Sequence, residues 1–125
     1  MAKAKGYTGE RVYRKIARSV ENDILDGIIR EGEPVPSTNQ FAEFFDINPA
    51  TAAKGVSLLT ERGLLFKKRG IGMFVADGAY ERLLADRRAE FREQFIAPLL
   101  EEAARIGISK RDLLADIMWS EEDEE

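Results

Sequence analysis

The side chains best suited to chemistry in this sequence are cations that lie next to glycines. Lys67-Lys68-Arg69 runs directly into Gly70-Ile71-Gly72, between two short apolar stretches. Ammonium and guanidinium groups bind phosphates, and glycines allow positive φ and a close approach of the backbone to a surface. The pattern predicts a β-hairpin, and beside a helix-turn-helix such a hairpin would be a wing that lies along the phosphate backbone of DNA or reaches its minor groove. A hairpin whose charges only blunt its edge strands is the alternative.

The composition offers few of the residue types that carry out acid–base or metal chemistry. The 125 residues contain neither histidine nor cysteine. This removes the commonest general base, the commonest metal ligand and every thiol nucleophile. The carboxylates form no recognisable catalytic constellation, and no helix follows the glycine-rich turn to make it a phosphate-binding loop. We therefore expect no enzyme activity, no cofactor and no bound metal.

The net charge of −4 conceals an asymmetry between the two parts of the chain. Residues 1–77 carry 12 Lys and Arg against 10 Asp and Glu, whereas residues 78–125 carry 7 against 13, five of these in the terminal Glu121-Glu122-Asp123-Glu124-Glu125. The acidic balance therefore does not argue against a nucleic-acid partner. The longest apolar run, Phe95–Leu100, is far shorter than the ~20 residues of a membrane span. We expect a cytoplasmic protein without a signal sequence or membrane contact.

Two consecutive helical patterns predict a helix-turn-helix. Ser37 and Gln40 fit a capping box that opens a helix ending at Phe45, and Asn48 with Pro49 opens the next helix, which runs to about Arg62. The second helix of such a unit places its N-terminal residues in the major groove. A three-helix core with ordinary solvated polar residues is the alternative. The positions expected to be exposed at that end are Asn48, Ala50, Thr51, Ala53 and Lys54.

The remaining elements follow from periodicity and from glycine and proline. A first helix should begin near Glu10, and after the hairpin (strands 64–68 and 73–76) a long helix should run from Ala79 to Gly107, kinked or split at Pro98. Ser109 should cap a last short helix. We expect two sets of apolar residues to face inward from the first and second helices: Val12, Ile16, Val20, Ile24 and Ile28, and Phe41, Ala42, Phe44 and Phe45.

Four blocks in this order resemble the GntR family of bacterial transcription regulators: Val35-Pro36-Ser37, Asp46–Thr51, Leu59 with Glu61-Arg62-Gly63-Leu64, and Arg69–Val75. Two further parts are most similar to its YtrA subfamily: the turn Asn48-Pro49-x-Thr51, and Phe95 with Glu101-Glu102-Ala103 and Ile106-Gly107-Ile108-Ser109. The resemblance implies a mostly α fold with a small β-hairpin wing. It implies a winged helix-turn-helix over residues 1–77 and two dimerisation helices over 78–119. The acidic residues 120–125 are expected to be a disordered tail.

The resemblance also implies which residues contact DNA. Family contacts carry over to the recognition-helix residues Thr51 and Lys54 and to the wing residues Arg69, Gly70 and Gly72. The family has arginine where this chain has Asn39 and Lys54, so fewer guanidinium contacts are expected. With the residues taken from the motifs themselves, the expected DNA-contacting set is Ser37, Asn39, Asn48, Ala50, Thr51, Lys54, Lys68, Arg69, Gly70 and Gly72.

The long C-terminal helix carries an apolar stripe that is too large for one helix to leave in water. Its members are Tyr80, Leu84, Phe91, Phe95, Leu99 and Ile106. The stripe could fold back on the winged helix or pair with a second chain, as the resemblance favours. The expected function is a homodimeric regulator, a repressor, that binds a two-fold symmetric operator in double-stranded DNA. A winged-helix module that binds proteins is the alternative.

Overall fold

The computed structural model describes residues 11–120. These residues form a mostly α-helical structure with one antiparallel hairpin, as the sequence predicts. The elements are α1 (Val12–Leu25), α2 (Thr38–Phe45), α3 (Pro49–Glu61), β1 (Leu65–Lys68), β2 (Gly72–Val75), α4 (Ala79–Phe91), a π-helical turn (Arg92–Ile96), α5 (Ala97–Arg105) and α6 (Lys110–Met118).

Helices α1, α2 and α3 pack together around one hydrophobic core. Burial of apolar side chains stabilises this part of the chain by ~25 cal/mol for each Å² removed from water. The largest fully buried side chains are Ile16, Val20, Leu59, Leu64, Leu65, Val75 and Leu83.

Helix α1 is shorter than the apolar periodicity predicts. The N–H groups of Gly27 and Ile28 donate to the carbonyls of Ile24 and Asp23, and Gly27 has φ +79°. This is the glycine C-cap arrangement in which the chain leaves the helix through a left-handed residue. The prediction that Ile28 continues the buried stripe is therefore wrong: its side chain is 68% exposed. The predicted start near Glu10 falls outside the described residues. The prediction that Val12 faces inward is also wrong, because its side chain, in the first turn of α1, is 46% exposed.

Helix α2 buries a narrower face than predicted. Phe41 and Ala42 are buried and Phe45 is half-buried, but Phe44 is 81% exposed. At 100° per residue, Phe44 lies ~60° from Phe41 on the side away from Ala42. The core contacts this short helix only on the side of Phe41 and Ala42, which leaves Phe44 in solvent. The prediction that Phe44 faces inward is therefore wrong.

The β-hairpin pairs in register from Leu65 opposite Val75 to Lys68 opposite Gly72. The segment before α2 lies beside β2, where the N–H groups of Gly32 and Val35 donate to the carbonyls of Val75 and Met73 at 2.8 and 2.9 Å. The sequence predicts this segment as an extended connection, and the structure adds that it extends the sheet.

Two compact units divide the chain, one ending at Leu84 and the other beginning at Ala85. The first unit extends past residue 77, the boundary expected from the sequence, because Ala79 and Leu83 of α4 are buried in its core.

The second unit contains the interruption expected from Pro98. Immediately before the proline, the helix adopts a π-helical turn, in which the N–H of Ala97 donates to the carbonyl of Arg92 five residues earlier. Proline has no N–H and its ring crowds the carbonyl four residues back, so a wider turn relieves that contact. Ser109 caps α6 through the N–H of Asp112 at 3.1 Å, as predicted.

Candidate nucleic-acid interface

The helix-turn-helix is held by caps at the N-termini of both helices. The Ser37 hydroxyl accepts the N–H of Gln40 at 3.1 Å, and the Gln40 side chain accepts the N–H of Ser37 at 2.8 Å, which confirms the capping box. Asn48 accepts the N–H of Ala50 at 2.6 Å, and Pro49 occupies the first turn of α3. Between the helices, Asp46 has φ 56°, a left-handed conformation that aspartate tolerates better than most residues. These interactions fix where α2 and α3 begin.

The residues predicted to project from the start of α3 are accessible. Asn48, Ala50 and Lys54 are exposed, and Thr51 and Ala53 are half-buried. At the other helix of the motif, Ser37 and Asn39 are exposed at the cap and in the first turn of α2. The buried members of α3 are Ala52, Gly55, Val56 and Leu59.

Lys54 has an aromatic neighbour that the sequence does not identify. Its Nζ lies 4.3 Å from the centroid of the Tyr13 ring in α1. In the sequence Tyr13 only widens the apolar stripe of α1. The spacing of residues within α1 carries no signal for this contact, because the contact depends on how closely α1 approaches α3.

The wing presents its cations beside a tight turn. The N–H of Ile71 donates to the carbonyl of Lys68 at 2.9 Å, and Gly70 in this turn has φ +77°. Lys68, Arg69 and Gly70 are exposed, and Gly72 is half-buried as the first residue of β2. Lys68 Nζ lies 4.7 Å from the centroid of the Phe74 ring, which stacks on Phe66 at 5.8 Å.

The residues predicted for dimerisation divide between the two compact units. Tyr80 and Leu84 belong to the first unit, where Tyr80 is 38% exposed and Leu84 is half-buried. The other four members of the stripe, in the second unit, are all exposed: Phe91, Phe95, Leu99 and Ile106.

The carboxylates of the described range were expected to hold no metal ion, and one of them, Glu31, has a defined structural contact. No group of three or more Asp or Glu residues between positions 11 and 120 is arranged to hold a metal ion. The carboxylate of Glu31 accepts the N–H of Tyr80 at 3.0 Å. The backbone N–H groups of Gly78 and Tyr80 hold the pKa of Glu31 below its usual range. This carboxylate therefore interacts with the start of α4.

Residues 12–75, which cover α1 through β2, match the bacterial regulatory proteins of the gntR family. The chain belongs to the GntR family. Membership confirms the resemblance seen in the motifs, and it confirms that the chain is a regulator rather than an enzyme.

Two relatives show how far the similarity of this GntR protein extends. It is 26% identical over 102 residues to the transcriptional repressor YtrA of Bacillus subtilis, covering 82% of this chain and 78% of YtrA. It is 32% identical over 65 residues to the regulator YdeF of the same organism, covering 52% of this chain and 14% of YdeF. The chain thus spans most of YtrA but only a small part of YdeF.

Solved structures confirm the fold of this GntR protein. A GntR-family regulator from Listeria monocytogenes superposes with a TM-score of 0.78 at 23% identity, covering 92% of this chain and 99% of that one. The DNA-binding domain of AraR, in complex with the operator ORE1, superposes with a TM-score of 0.53 at 26% identity, covering 59% and 95%. Within residues 11–120, no helix is both long enough and apolar enough to cross a bilayer.

Proposed function

We propose that this protein is a sequence-specific DNA-binding transcriptional repressor that acts in the cytoplasm as a homodimer on a two-fold symmetric operator. The observation that carries the proposal is the exposed N-terminal end of α3, with Asn48, Ala50 and Lys54 in solvent, in a chain of the GntR family. The repressor role is supported by the similarity to YtrA.

In this proposal α3 is the recognition helix and enters the major groove by its N-terminal end. Lys54 and Thr51 donate hydrogen bonds to base edges or phosphates, and the small side chain of Ala50 allows contact with a thymine methyl group. Lys68 and Arg69 of the wing bind phosphates, while Gly70 and Gly72 let the turn approach the DNA backbone.

The first turn of α2 supplies a second phosphate contact in this proposal. Ser37 and Asn39 lie at the helix N-terminus, where backbone N–H groups and the helix dipole favour an anion. This part of the interface is weaker than in relatives with arginine at position 39, since asparagine brings no positive charge.

The homodimer part of the proposal rests on the burial pattern of the C-terminal helices. Among residues 85–120, only Ala103 is buried. A helical segment with one buried residue has no core of its own, and such a large apolar surface marks an interaction site. A second copy of the chain fits this surface, because a two-fold dimer presents two recognition helices ~34–36 Å apart, one turn of DNA. In this proposal residues 78–119 are the dimerisation region, and the stripe from Tyr80 to Ile106 is its apolar face.

DNA selection from a random duplex library by the purified full chain tests the DNA-binding part. We expect the retained fragments to share two inverted half-sites and to bind less tightly as salt rises. Thr51→Ala and Lys54→Met should weaken this binding, whereas Lys110→Met, an exposed lysine at the start of α6, should not. If no sequence is enriched, the protein-interaction module is the better assignment.

Sedimentation equilibrium of the full chain tests the dimer. The expected mass is twice the 14.1 kDa of one chain. Phe95→Glu places a charge in the apolar face and should give monomers, while Glu93→Gln, an exposed position in the same π-helical turn, should remain dimeric. A wild-type protein that sediments as a monomer at micromolar concentration would contradict this part of the proposal.

A further inference from the structure

We propose that Tyr13 is a positioning residue for DNA recognition: its ring holds the ammonium group of Lys54 in place before DNA binds. This inference rests on the proposed function, since it takes Lys54 to be a DNA contact. Tyr13 lies in α1, outside the helix-turn-helix. Neither the sequence pattern nor the family resemblance predicts a role in DNA binding for a residue of α1.

The contact itself has the geometry of a cation–π interaction. Lys54 Nζ lies 4.3 Å from the ring centroid of Tyr13, well inside the ~6 Å within which a ring face attracts a cation. Lys54 is exposed, so without this ring its long side chain would sample many rotamers. A ring that favours one position of the ammonium group reduces the rotamer entropy lost when lysine binds a phosphate or a base.

The backbone of Tyr13 lies close to α3 at this point, because α3 carries a glycine there. Gly55 follows Lys54, and a Cβ placed on Gly55 would lie 2.7 Å from the backbone oxygen of Tyr13 and 3.1 Å from Cβ of Ile16. Only glycine allows this approach. The backbone of the half-buried Tyr13 is therefore held against the helix that carries Lys54, which keeps its ring within reach of that lysine.

Two further observations support a role in DNA binding. The guanidinium carbon of Arg14 lies 5.6 Å from the same ring centroid, so the ring has two cations near it. In addition, Lys68 lies over the Phe74 ring at 4.7 Å. Both lysines of the expected DNA-contacting set are thus associated with an aromatic ring, one on the recognition helix and the other on the wing.

The effect on affinity should be modest and should depend on Lys54. A cation–π contact at an exposed site shifts the equilibrium of the contact itself by a factor of about two to five, which sets the upper limit of its effect on binding. Tyr13→Leu should therefore weaken binding to the DNA selected by the wild type by up to that factor, and Tyr13→Phe, which keeps the ring, should not. In a Lys54→Met background Tyr13→Leu should have no further effect, because the residue it acts through is absent.

The experiment combines NMR of the free protein with binding measurements on this four-variant set. In the free wild type, the ring current of Tyr13 should shift the Lys54 Hε resonance upfield; Tyr13→Leu should abolish the shift and Tyr13→Phe should keep it. Thermal unfolding of each variant checks that it folds. If Tyr13→Leu does not fold, Tyr13→Met, which fills the space with an unbranched chain, takes its place.

The outcomes separate this inference from the proposed function. Losses that add in the Tyr13→Leu/Lys54→Met variant, or an unchanged affinity of Tyr13→Leu for the selected DNA, would overturn the positioning role alone. A wild type that selects no DNA would overturn the proposed function and the inference with it, even if the ring-current shift is present.

Discussion

Arg62, the C-terminal cap of α3, donates a hydrogen bond to the buried carboxylate of Glu21 in α1. The Glu21 side chain is only 7% exposed, and a second cation, Arg18, lies 3.7 Å from its other oxygen. Arg82 of α4 in turn donates to the carbonyl of Arg62. Because a buried carboxylate is costly unless it is paired, this pair fixes the end of α3 against α1.

Arg62→Met should therefore lower the free energy of unfolding by about 1–3 kcal/mol, because it leaves the Glu21 carboxylate with a weaker partner. The double variant Glu21→Met/Arg62→Met should regain part of this loss, since the buried charge is gone. Urea denaturation measures both. The matched control is Arg105→Met, which breaks the exposed pair with Glu102 and should change stability by less than about 0.5 kcal/mol. If Arg62→Met and Arg105→Met lowered the free energy of unfolding equally, the burial of the Glu21 carboxylate would not be what makes its ion pair important.

Gly55→Ala should destabilise the protein although alanine is the better helix former. The added methyl would lie 2.7 Å from the backbone oxygen of Tyr13 and 3.1 Å from Cβ and Cγ2 of Ile16. We expect the overpacking to cost about 1–3 kcal/mol, more than the ~1 kcal/mol gained in helix propensity. Thermal unfolding measures the balance. Ser57→Ala, an exposed position in the same helix, should leave the melting temperature equal or slightly raised; a stabilised Gly55→Ala would show that α1 and α3 separate easily.

Residues close together in sequence were enough to predict where helices begin at caps and turns. Which side chains are buried depends on contacts between elements and could not be predicted in the same way. Ser37, Asn48 and Ser109 marked helix starts correctly because a cap depends on residues within one turn. The prediction that Ile28 and Phe44 face inward was wrong, because the regular spacing of apolar residues does not show where a helix ends or how wide its buried face is. The contact of Tyr13 with Lys54 was not predictable, since these residues are 41 positions apart in sequence and meet only because their helices cross. The DNA and dimer contacts themselves remain predictions.

Ser37 offers a way to separate stability from DNA binding at one residue. Ser37→Ala removes the capping hydrogen bond to the N–H of Gln40 and should cost about 1 kcal/mol. Ser37→Asp keeps an acceptor for that N–H, so it should be as stable as the wild type, but its negative charge should repel the phosphate backbone and weaken DNA binding. Thermal unfolding and DNA titration of both variants check this pattern. If Ser37→Asp bound DNA as well as the wild type, the first turn of α2 would not face phosphate.

The carboxylate of Glu31 should make a pH-dependent contribution to stability. Backbone N–H groups of Gly78 and Tyr80 stabilise its charged form, so its pKa is lower in the folded state than in the unfolded chain. A lowered pKa means that the stabilisation is complete above the unfolded pKa and is lost as the pH falls through the folded one. The melting temperature of Glu31→Gln should therefore lie below that of the wild type at pH 7, and the difference should shrink below pH ~4. As a control, Glu101→Gln, at an exposed position in α5, should show the same dependence of melting temperature on pH as the wild type. If the melting temperatures of Glu31→Gln and the wild type differed by the same amount at every pH, the contribution of the Glu31 carboxylate would be contradicted.

Asn39→Arg should strengthen DNA binding in the proposed homodimer. Asn39 is exposed in the first turn of α2, two residues after the capping Ser37, and the fold should accept arginine there because it is a good helix former. Asparagine can donate a hydrogen bond to a phosphate but releases no counterion, whereas each added guanidinium contact should steepen the slope of log K against log salt by ~0.9. Two subunits give a change of ~2, measured by titrating the selected operator at several salt concentrations. Asn39→Gln, which lengthens the side chain without charge, should leave the slope unchanged. An unaltered slope for Asn39→Arg would mean that residue 39 does not face the DNA backbone, and that this protein binds its DNA differently from the family pattern.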